Sequence, residues 1–463
     1  MKYIYLKRVS AATYYPPFVT LVTALLLSGC ATFSKDGGFD NVKQITQQHV
    51  KQEIAWPKNQ AEQNKIDEQV KVLLARKLDV ETAVQIALLN NKRLQAAFYE
   101  LGISEADLVQ AGRLPNPRFS MLYAKNNGDY KIEQAFTFNI FSLITMPKAV
   151  EIERRRFEQT QRATALEVFK LANHTRLAYF NAVAARELAR YSDQVKESAE
   201  ASAELARRMV KAGNWNKLEQ AREQSFYADA VLELANAKNK QVRAHEALSR
   251  LLGIPADRMT LLERLPDLPS SVEELQPFEQ AAFENRLDLQ VAKLETEALA
   301  KQLGLTKTTR LINVLEIGPA RVLEGRRNDP YKNGLEIGFE IPLFDWGTAR
   351  LAKAEAIYMQ AVNEAAQIAI NAQSEIREAY NVYRTNYEVS KHLRDEIVPI
   401  RKKILSENQL RYNGMLTSPF ELFGDARAQV TSVKNYIESL REFWLADSTL
   451  KMTLIGANAM EGQ

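Results

Sequence analysis

Cysteine is almost absent from this sequence of 463 residues, which contains a single one. One cysteine cannot form an intramolecular disulfide, and it cannot supply the thiolate cluster of a structural zinc site. The four histidines lie far apart along the chain, so we expect no histidine metal site either. These absences exclude a disulfide framework and lead us to expect no resident metal.

Glycine and proline are also scarce, with 18 and 15 residues, and this predicts a mainly helical chain with few loops. The formal charge is only +4, which argues against a nucleic-acid partner because such proteins present a basic face to phosphates. The sequence has no glycine-rich phosphate loop, no Gly-x-Ser-x-Gly and no His-Glu-x-x-His. The sequence therefore shows none of these signatures of phosphate binding, acyl hydrolysis or zinc-dependent proteolysis.

The N-terminus has the pattern of an export signal. A basic start is followed by an apolar run over residues 18–28, which is too short to span a bilayer. The run ends in Leu-Ser-Gly-Cys30, which resembles a bacterial lipobox, so we expect cleavage after residue 29 and lipidation of Cys30. Ala31 follows it, and by resemblance to Gram-negative lipoproteins this favours the outer membrane. The alternative is that Cys30 is an ordinary buried cysteine.

No other apolar segment reaches the roughly 18 residues that a membrane helix needs. Beyond the signal, the chain therefore either has no membrane span or crosses by β-strands.

The rest of the sequence contains two copies of one unit. Residues 87–97 match residues 282–292 at an offset of 195, and the offset grows to 201 and then to 205 further along. A period near 200 residues is too long for a solenoid repeat and indicates an internal duplication. The predicted segments are a signal peptide at 1–29, a lipid-anchored segment at 30–77, repeats at 78–275 and 276–456, and a tail at 457–463.

Each copy contains a very long predicted helix. The first, over residues 148–212, has a coiled-coil-like seam that includes Leu166, Leu188, Leu205 and Met209, and it ends at Gly213-Asn214. The second, over 348–413, ends at Asn413-Gly414 and should kink at Pro399. Each would be about 98 Å long at 1.5 Å per residue. This pattern alone would also fit a soluble coiled-coil rod.

Short strands argue against a rod. Residues 130–141 and 335–341 alternate apolar and polar side chains, and weaker strands precede them at 118–125 and 313–322. Two-faced strands of this length fit a transmembrane β-barrel wall, although a small soluble sheet is the alternative. Four strands cannot close a barrel, so other copies must complete it: two copies would give a filled eight-stranded barrel, and three a twelve-stranded channel.

Three motifs make the chain resemble the TolC family of outer-membrane efflux proteins over residues 78–456. They are Leu114-Pro-Asn-Pro117, Ile341-Pro-Leu-Phe-Asp-Trp-Gly347 and Arg411-Tyr-Asn-Gly414. The first copy departs from the family pattern at residues 141–146, which leaves its strand-to-helix geometry open. The resemblance implies a mostly α fold: a homotrimer with a twelve-stranded barrel in the outer membrane and a long α-helical barrel in the periplasm. It also implies a periplasmic adaptor, an inner-membrane pump and no cofactor.

Such a protein would be a passive duct with a gate at its periplasmic tip. Glu421 and Asp425 lie four residues apart on one predicted helix face, so in a trimer each would form a ring of three carboxylates. Arg411 and Arg427 are the nearby basic candidates for the gate. The alternative is that all four are ordinary solvated charges. The predicted adaptor contacts are the helix turns, at Gly213, Asn214, Gly414 and Met415.

Two other functions remain open. One is a structural periplasmic coiled-coil lipoprotein without a pore, for which the two-faced strands would have no use. The other is a lipid-anchored enzyme, which the lack of any convergent acid, base or metal set disfavours. The sequence names neither the exported substrate nor the cognate pump.

Overall fold

The computed structural model describes residues 32–272, 286–312 and 314–456. The predicted signal peptide, Cys30 and the C-terminal tail lie outside these residues. The helices are α1 Phe39–Gln47, α2 Gln60–Leu74, α3 Val80–Asn90, α4 Lys92–Ala111, α5 Ile140–Lys211, α6 Lys217–Leu252, α7 Leu287–Thr309, α8 Thr348–His392, α9 Val398–Asn413 and α10 Pro419–Ile455. The strands are β1 Arg118–Asn126, β2 Asp129–Asn139, β3 Leu315–Gly325 and β4 Lys332–Phe339. In the described ranges, no helix carries an apolar stretch long enough to cross a membrane.

The order of elements occurs twice, as the duplication predicts. Helix α4, strands β1 and β2, and helices α5 and α6 form the first series; α7, β3, β4 and α8 to α10 form the second. The chain divides into two compact units, and the unit boundaries fall within the helices next to the strands. The sheet unit includes residues 103–157 and 295–361, and the helical unit includes 38–102, 158–294 and the chain from 362 onward. The predicted limits of the repeats stay predictions.

The first long helix begins earlier than the sequence predicts. It starts at Ile140, directly after β2, whereas we expected residue 148. The side-chain oxygen of Asn139 accepts a hydrogen bond from the backbone N–H of Ser142 at 2.9 Å, which is the geometry of an N-terminal cap. Residues 141–146, where the first copy departs from the family pattern, are therefore the opening turns of α5, and Pro147 lies inside the helix.

The second long helix is interrupted just before Pro399, where the sequence predicts a kink. Helix α8 ends at His392, a π-helical turn runs over Leu393–Ile397, and α9 begins at Val398. Proline has no backbone N–H, and its ring clashes with the carbonyl four residues earlier. A wider turn at this position relieves that clash, and single π-turns of this kind occur within longer helices.

The predicted seam of α5 is wrong in its last third. Val195, a predicted seam residue, is buried, but beyond it the buried residues are Ala199, Ala203 and Ala206, whereas Leu205, also predicted for the seam, is 40% exposed. Small side chains let neighbouring helices approach closely, so the buried stripe follows alanines rather than the largest apolar residues. Hydrophobic size alone therefore misplaces this face of the helix.

The core of the helical unit joins the N-terminal segment to both repeats. Helix α3 is buried along most of its length, and the ring of Phe39 packs edge-on against Phe98 with centroids 5.1 Å apart. The hydroxyl of Tyr179 donates to the carbonyl of Leu78 at 2.8 Å. Phe180 on α5 stacks on Trp444 of α10 at 5.5 Å, so the two repeats share one core in this unit.

The four strands form one antiparallel sheet in the order β1-β2-β3-β4. The pairing of β2 with β3 is interrupted opposite Gly318 and Pro319 and resumes in the same register at Phe138 and Ile317. Proline cannot donate to the ladder. A Cβ on Gly318 would lie 1.7 Å from the carbonyl oxygen of Phe136, so only glycine fits there. The sheet thus joins strands from both repeats.

Candidate functional site

The sheet has one apolar and one polar face, as the strand periodicity predicts. Residues paired across an antiparallel ladder point to the same face, so the register assigns each side chain to a face. We call the first the apolar face; its main members are Phe119, Met121, Tyr123, Ile132, Phe136, Phe138, Leu315, Ile317, Leu323, Leu335, Ile337 and Phe339. Many of these large side chains are exposed, which is unusual for a soluble sheet.

The opposite, polar face carries charges of both signs. Lys131 forms an ion pair with Glu133 at 2.9 Å, and Arg118 lies 4.0 Å from Glu316. The hydroxyl of Thr137 donates to Glu316 at 3.4 Å. Glutamates of this face therefore come from both repeats, and a wall of this kind favours contact with water rather than with hydrocarbon.

Strands β1 and β4 lie at the two edges of the sheet, because each pairs with one strand only within the described residues. Every residue of β1 is exposed, and so is nearly every residue of β4. Unpaired backbone groups at such edges are open to pairing with strands of another chain.

The first helix turn has the geometry that the sequence predicts. Gly213 adopts the left-handed conformation with φ of 79°. The backbone N–H of Asn214 donates to the carbonyl of Met209 at 2.9 Å, which completes a Schellman-type cap. Asn216 then caps α6 through a reciprocal pair of hydrogen bonds with Glu219.

The second helix turn differs from the expectation in one residue. Gly414 has φ of −84°, and Met415, with φ of 59°, takes the left-handed position. The backbone N–H of Leu416 donates to the carbonyl of Arg411 at 2.8 Å, so the cap closes one residue later than the glycine suggests. Met415 is 94% exposed at the apex of this turn.

The four gate candidates do not pair with one another in the single chain. Glu421 accepts a hydrogen bond from the hydroxyl of Thr417, and Asp425 accepts one from the side-chain amide of Asn408. Arg427 forms an ion pair at 2.9 Å with Glu223, a residue of the first repeat. Arg411 is exposed beside the second turn. The role of these residues in a gate stays a prediction.

Glu223 is the residue that sequence reasoning missed. Its side chain is 1% exposed and accepts hydrogen bonds from Arg427 and, at 2.6 Å, from the hydroxyl of Ser202. The guanidinium of Arg427 also lies over the ring of Phe226, 5.3 Å from its centroid. The alignment of the two repeats pairs Arg222 with Arg427 and so draws attention to this part of α6. However, no local feature of the sequence shows which acidic residue pairs with the other repeat.

Aromatic contacts join the same two helices near the turns. The guanidinium of Arg222 on α6 lies 5.1 Å from the ring centroid of Phe420 on α10. Trp215, in the first turn, packs edge-on against Phe423 with centroids 6.1 Å apart. Together with the Glu223–Arg427 pair, these contacts fasten the turn of one repeat to the helix that follows the turn of the other.

Among the described residues, no group of three or more histidine, cysteine, aspartate or glutamate side chains is arranged to hold a metal ion.

Residues 83–254 match the family model of outer membrane efflux proteins. These residues cover the whole first series of elements, including β1, β2 and the first helix turn. This part of the chain is therefore similar to outer membrane efflux proteins. Outside the matched segment, the second series of helices and strands repeats the order of the first.

A curated relative and several solved structures agree with this family. The cobalt-zinc-cadmium resistance protein CzcC of Cupriavidus metallidurans is 25% identical over 285 residues, which are 60% of this chain and 66% of the relative. A membrane protein from Pseudomonas aeruginosa aligns with a TM-score of 0.70 at 16% identity, covering 81% of this chain and 92% of that one. The CmeC outer membrane channel of Campylobacter jejuni aligns with a TM-score of 0.68 at 16% identity, covering 82% and 87%. The fold of this chain is thus that of outer-membrane efflux channels.

Proposed function

We propose that this protein is the outer-membrane exit duct of a tripartite efflux or export system and that it catalyses no reaction. The observation that carries the proposal is the four-stranded sheet, with an exposed apolar face, a charged opposite face and two unpaired edges. In a lipid bilayer, the apolar face would contact acyl chains, and the polar face would line an aqueous path. A pore-free coiled-coil lipoprotein has no use for such a sheet.

The duct would be a homotrimer. An open sheet edge is not tolerated in hydrocarbon, so the exposed edges β1 and β4 must pair with strands of other copies. Three copies contribute twelve strands, which leave room for a water-filled lumen, whereas eight strands from two copies would be filled by side chains. The number of strands per chain and the requirement for closure both support a trimer.

The lipid anchor and the partners are part of the same proposal. Cys30 would carry the lipid in the outer membrane, and the helix turns would meet a periplasmic adaptor that links the duct to an inner-membrane pump. Gly213, Asn214, Gly414 and Met415 are the proposed adaptor contacts, and the exposed apex at Met415 supports this. The resting gate would be formed by the rings of Glu421 and Asp425.

Conductance of the purified protein in a planar bilayer tests the proposal. We expect stepwise single-channel currents, together with the mass of a trimer by light scattering in detergent. The sensitivity of a deletion strain to large antibiotics and to cobalt, zinc and cadmium salts would then identify the cargo, since the curated relative is named for resistance to these metals. A monomeric protein that carries no current would refute the duct.

A further inference from the structure

A groove lies between the end of helix α7 and the start of α8, within the sheet unit. Its volume is about 410 Å³, and apolar side chains of Leu299, Leu303 and Ile357 form part of its lining. Three cations, Arg310, Arg350 and Lys353, complete it. Among the described residues that line the groove, none is acidic.

The backbone brings these cations together. Gly347 has φ of 70°, and a Cβ at this position would lie 2.6 Å from the carbonyl oxygen of Arg310. The loop before α8 therefore rests directly on the end of α7. Arg350 donates to the same carbonyl at 3.4 Å and lies 4.0 Å from Asp345. Nearby, Lys307 pairs with Glu355 at 3.2 Å, so that pair adds no net charge.

Exposed apolar side chains adjoin the groove in the sequence. Phe344 is 97% exposed and Trp346 is 59% exposed, and both precede α8 by only a few residues. Leu343 before α8, and Leu311 and Ile312 after α7, are exposed as well. Large apolar side chains followed a few residues later by arginine and lysine are typical of a protein surface at a membrane interface.

The first repeat has a similar order of exposed apolar residues followed by a cation, but with fewer residues of each kind. Leu143 and Ile144 are exposed in the opening turns of α5, and Lys148 follows them. The second repeat differs by having strongly exposed aromatic residues and a groove with three cations.

We propose that this groove binds the headgroup phosphate of an anionic phospholipid in the leaflet that borders the junction between strands and helices. The phosphate would accept charge-assisted hydrogen bonds from Arg310 and Lys353, while Phe344 and Trp346 insert among the acyl chains. The charge of the groove favours this occupant, and its apolar lining fits the glycerol and first methylenes of a lipid. The proposal rests on the proposed function, because it places the sheet in a membrane.

Lipid retention by the full-length trimer tests the groove. Wild type and the variant Arg310→Gln/Lys353→Gln are reconstituted in nanodiscs of phosphatidylglycerol or of phosphatidylcholine, and bound lipids are counted by native mass spectrometry after release. Each cation near an anionic surface contributes about fivefold in affinity, so we expect the variant to lose about 25-fold of the preference for phosphatidylglycerol. Arg350 is left intact because it holds the loop.

The control is Arg401→Gln/Lys402→Gln, which removes two exposed cations from α9. We expect it to keep the wild-type lipid preference. An equal loss in both variants would overturn the proposal, since general charge would then explain retention. Equal retention of phosphatidylglycerol and phosphatidylcholine by the wild type would also overturn it, because the groove would then not select an anionic lipid.

A cysteine in the groove distinguishes lipid from a second copy of the chain. In a Cys30→Ser background, Thr306→Cys should react with a maleimide in lipid-free trimers and be protected in phosphatidylglycerol nanodiscs. Protection in both states would show that a neighbouring copy covers the groove. Single-channel conductance distinguishes failure of the lipid-binding proposal from failure of the proposed function. A variant that conducts and retains lipid as the wild type does would refute lipid binding in the groove alone. A wild type without conductance would refute the duct.

Discussion

The side chain of Glu223 is 1% exposed, whereas that of its partner Arg427 is 29% exposed. We predict that Arg427→Met costs about 3–5 kcal/mol of stability, because it leaves a buried carboxylate without its counter-charge. Glu223→Gln should cost about 1–2 kcal/mol, since an amide retains hydrogen bonds to both neighbours. Unfolding of the helical unit in urea, together with hydrogen exchange in α6 and α10, measures both effects.

Arg411→Met is the matched control for this pair. Arg411 is an exposed arginine in the last turn of α9, so its loss should change stability by less than about 0.5 kcal/mol. If Arg427→Met were no more harmful than Arg411→Met, the pair with Glu223 would contribute nothing to fastening the turns.

The lowered pKa values of three histidines predict how the free energy of unfolding depends on pH. Partial desolvation by neighbouring side chains lowers the pKa of His49, His174 and His245 below their ordinary value of 6.5. The unfolded chain therefore takes up protons more readily than the folded one, and stability should fall as the pH drops below about 6.5. Replacing the three by glutamine should flatten the slope of melting temperature between pH 7 and 5. An unchanged slope in the triple variant would contradict the prediction.

At the scale of the element, β1 offers two neighbouring positions on opposite faces. Phe119 lies on the apolar face and Ser120 on the polar face, and both are exposed in the single chain. Phe119→Arg should destabilise the membrane-inserted sheet by about 2–4 kcal/mol if the residue lies near the bilayer midplane, whereas Ser120→Arg should be mild. Folding into lipid vesicles across a urea series measures the difference. Equal effects at the two positions would mean that the sheet does not face lipid on one side.

At the scale of the whole molecule, threefold symmetry would bring like charges together. Glu421 and Asp425 would each form a ring, and mutual repulsion makes closure costly unless hydrogen-bond donors such as Thr417 and Asn408 offset it. Glu421→Ala/Asp425→Ala should raise single-channel conductance and weaken block by divalent cations. Glu378→Ala, which removes an exposed acid from α8, serves as the control. If the double variant kept wild-type conductance and wild-type cation block, other residues of the turns would have to form the gate.

Local signals in the sequence were sufficient for much of the fold. All four strands lie within a few residues of their predicted limits, because alternation of apolar and polar side chains is a short-range feature. Gly213 ends α5 as predicted, since glycine adopts positive φ without steric cost. The helical content follows in the same way from the scarcity of glycine and proline and from long apolar periodicity.

Several details could not be predicted because they depend on partners distant in the chain. The buried alanine stripe of α5 is set by how closely neighbouring helices approach, and Met415 takes the left-handed position because the cap closes on Arg411. The ion pair of Glu223 with Arg427 joins the two repeats. The periodicity of one helix does not show which face of another helix will pack against it.

Residue spacing within single segments was enough to predict the order of elements in each copy and the two faces of β1, β2 and β4. The pairing of β2 with β3, which joins the repeats in one sheet, and the contact of Gly347 with Arg310, which forms the cationic groove, became visible only in the folded chain. The physical reason is that backbone pairing and close approach depend on the relative position of segments far apart in the chain, whereas periodicity and turn propensity are properties of neighbouring residues.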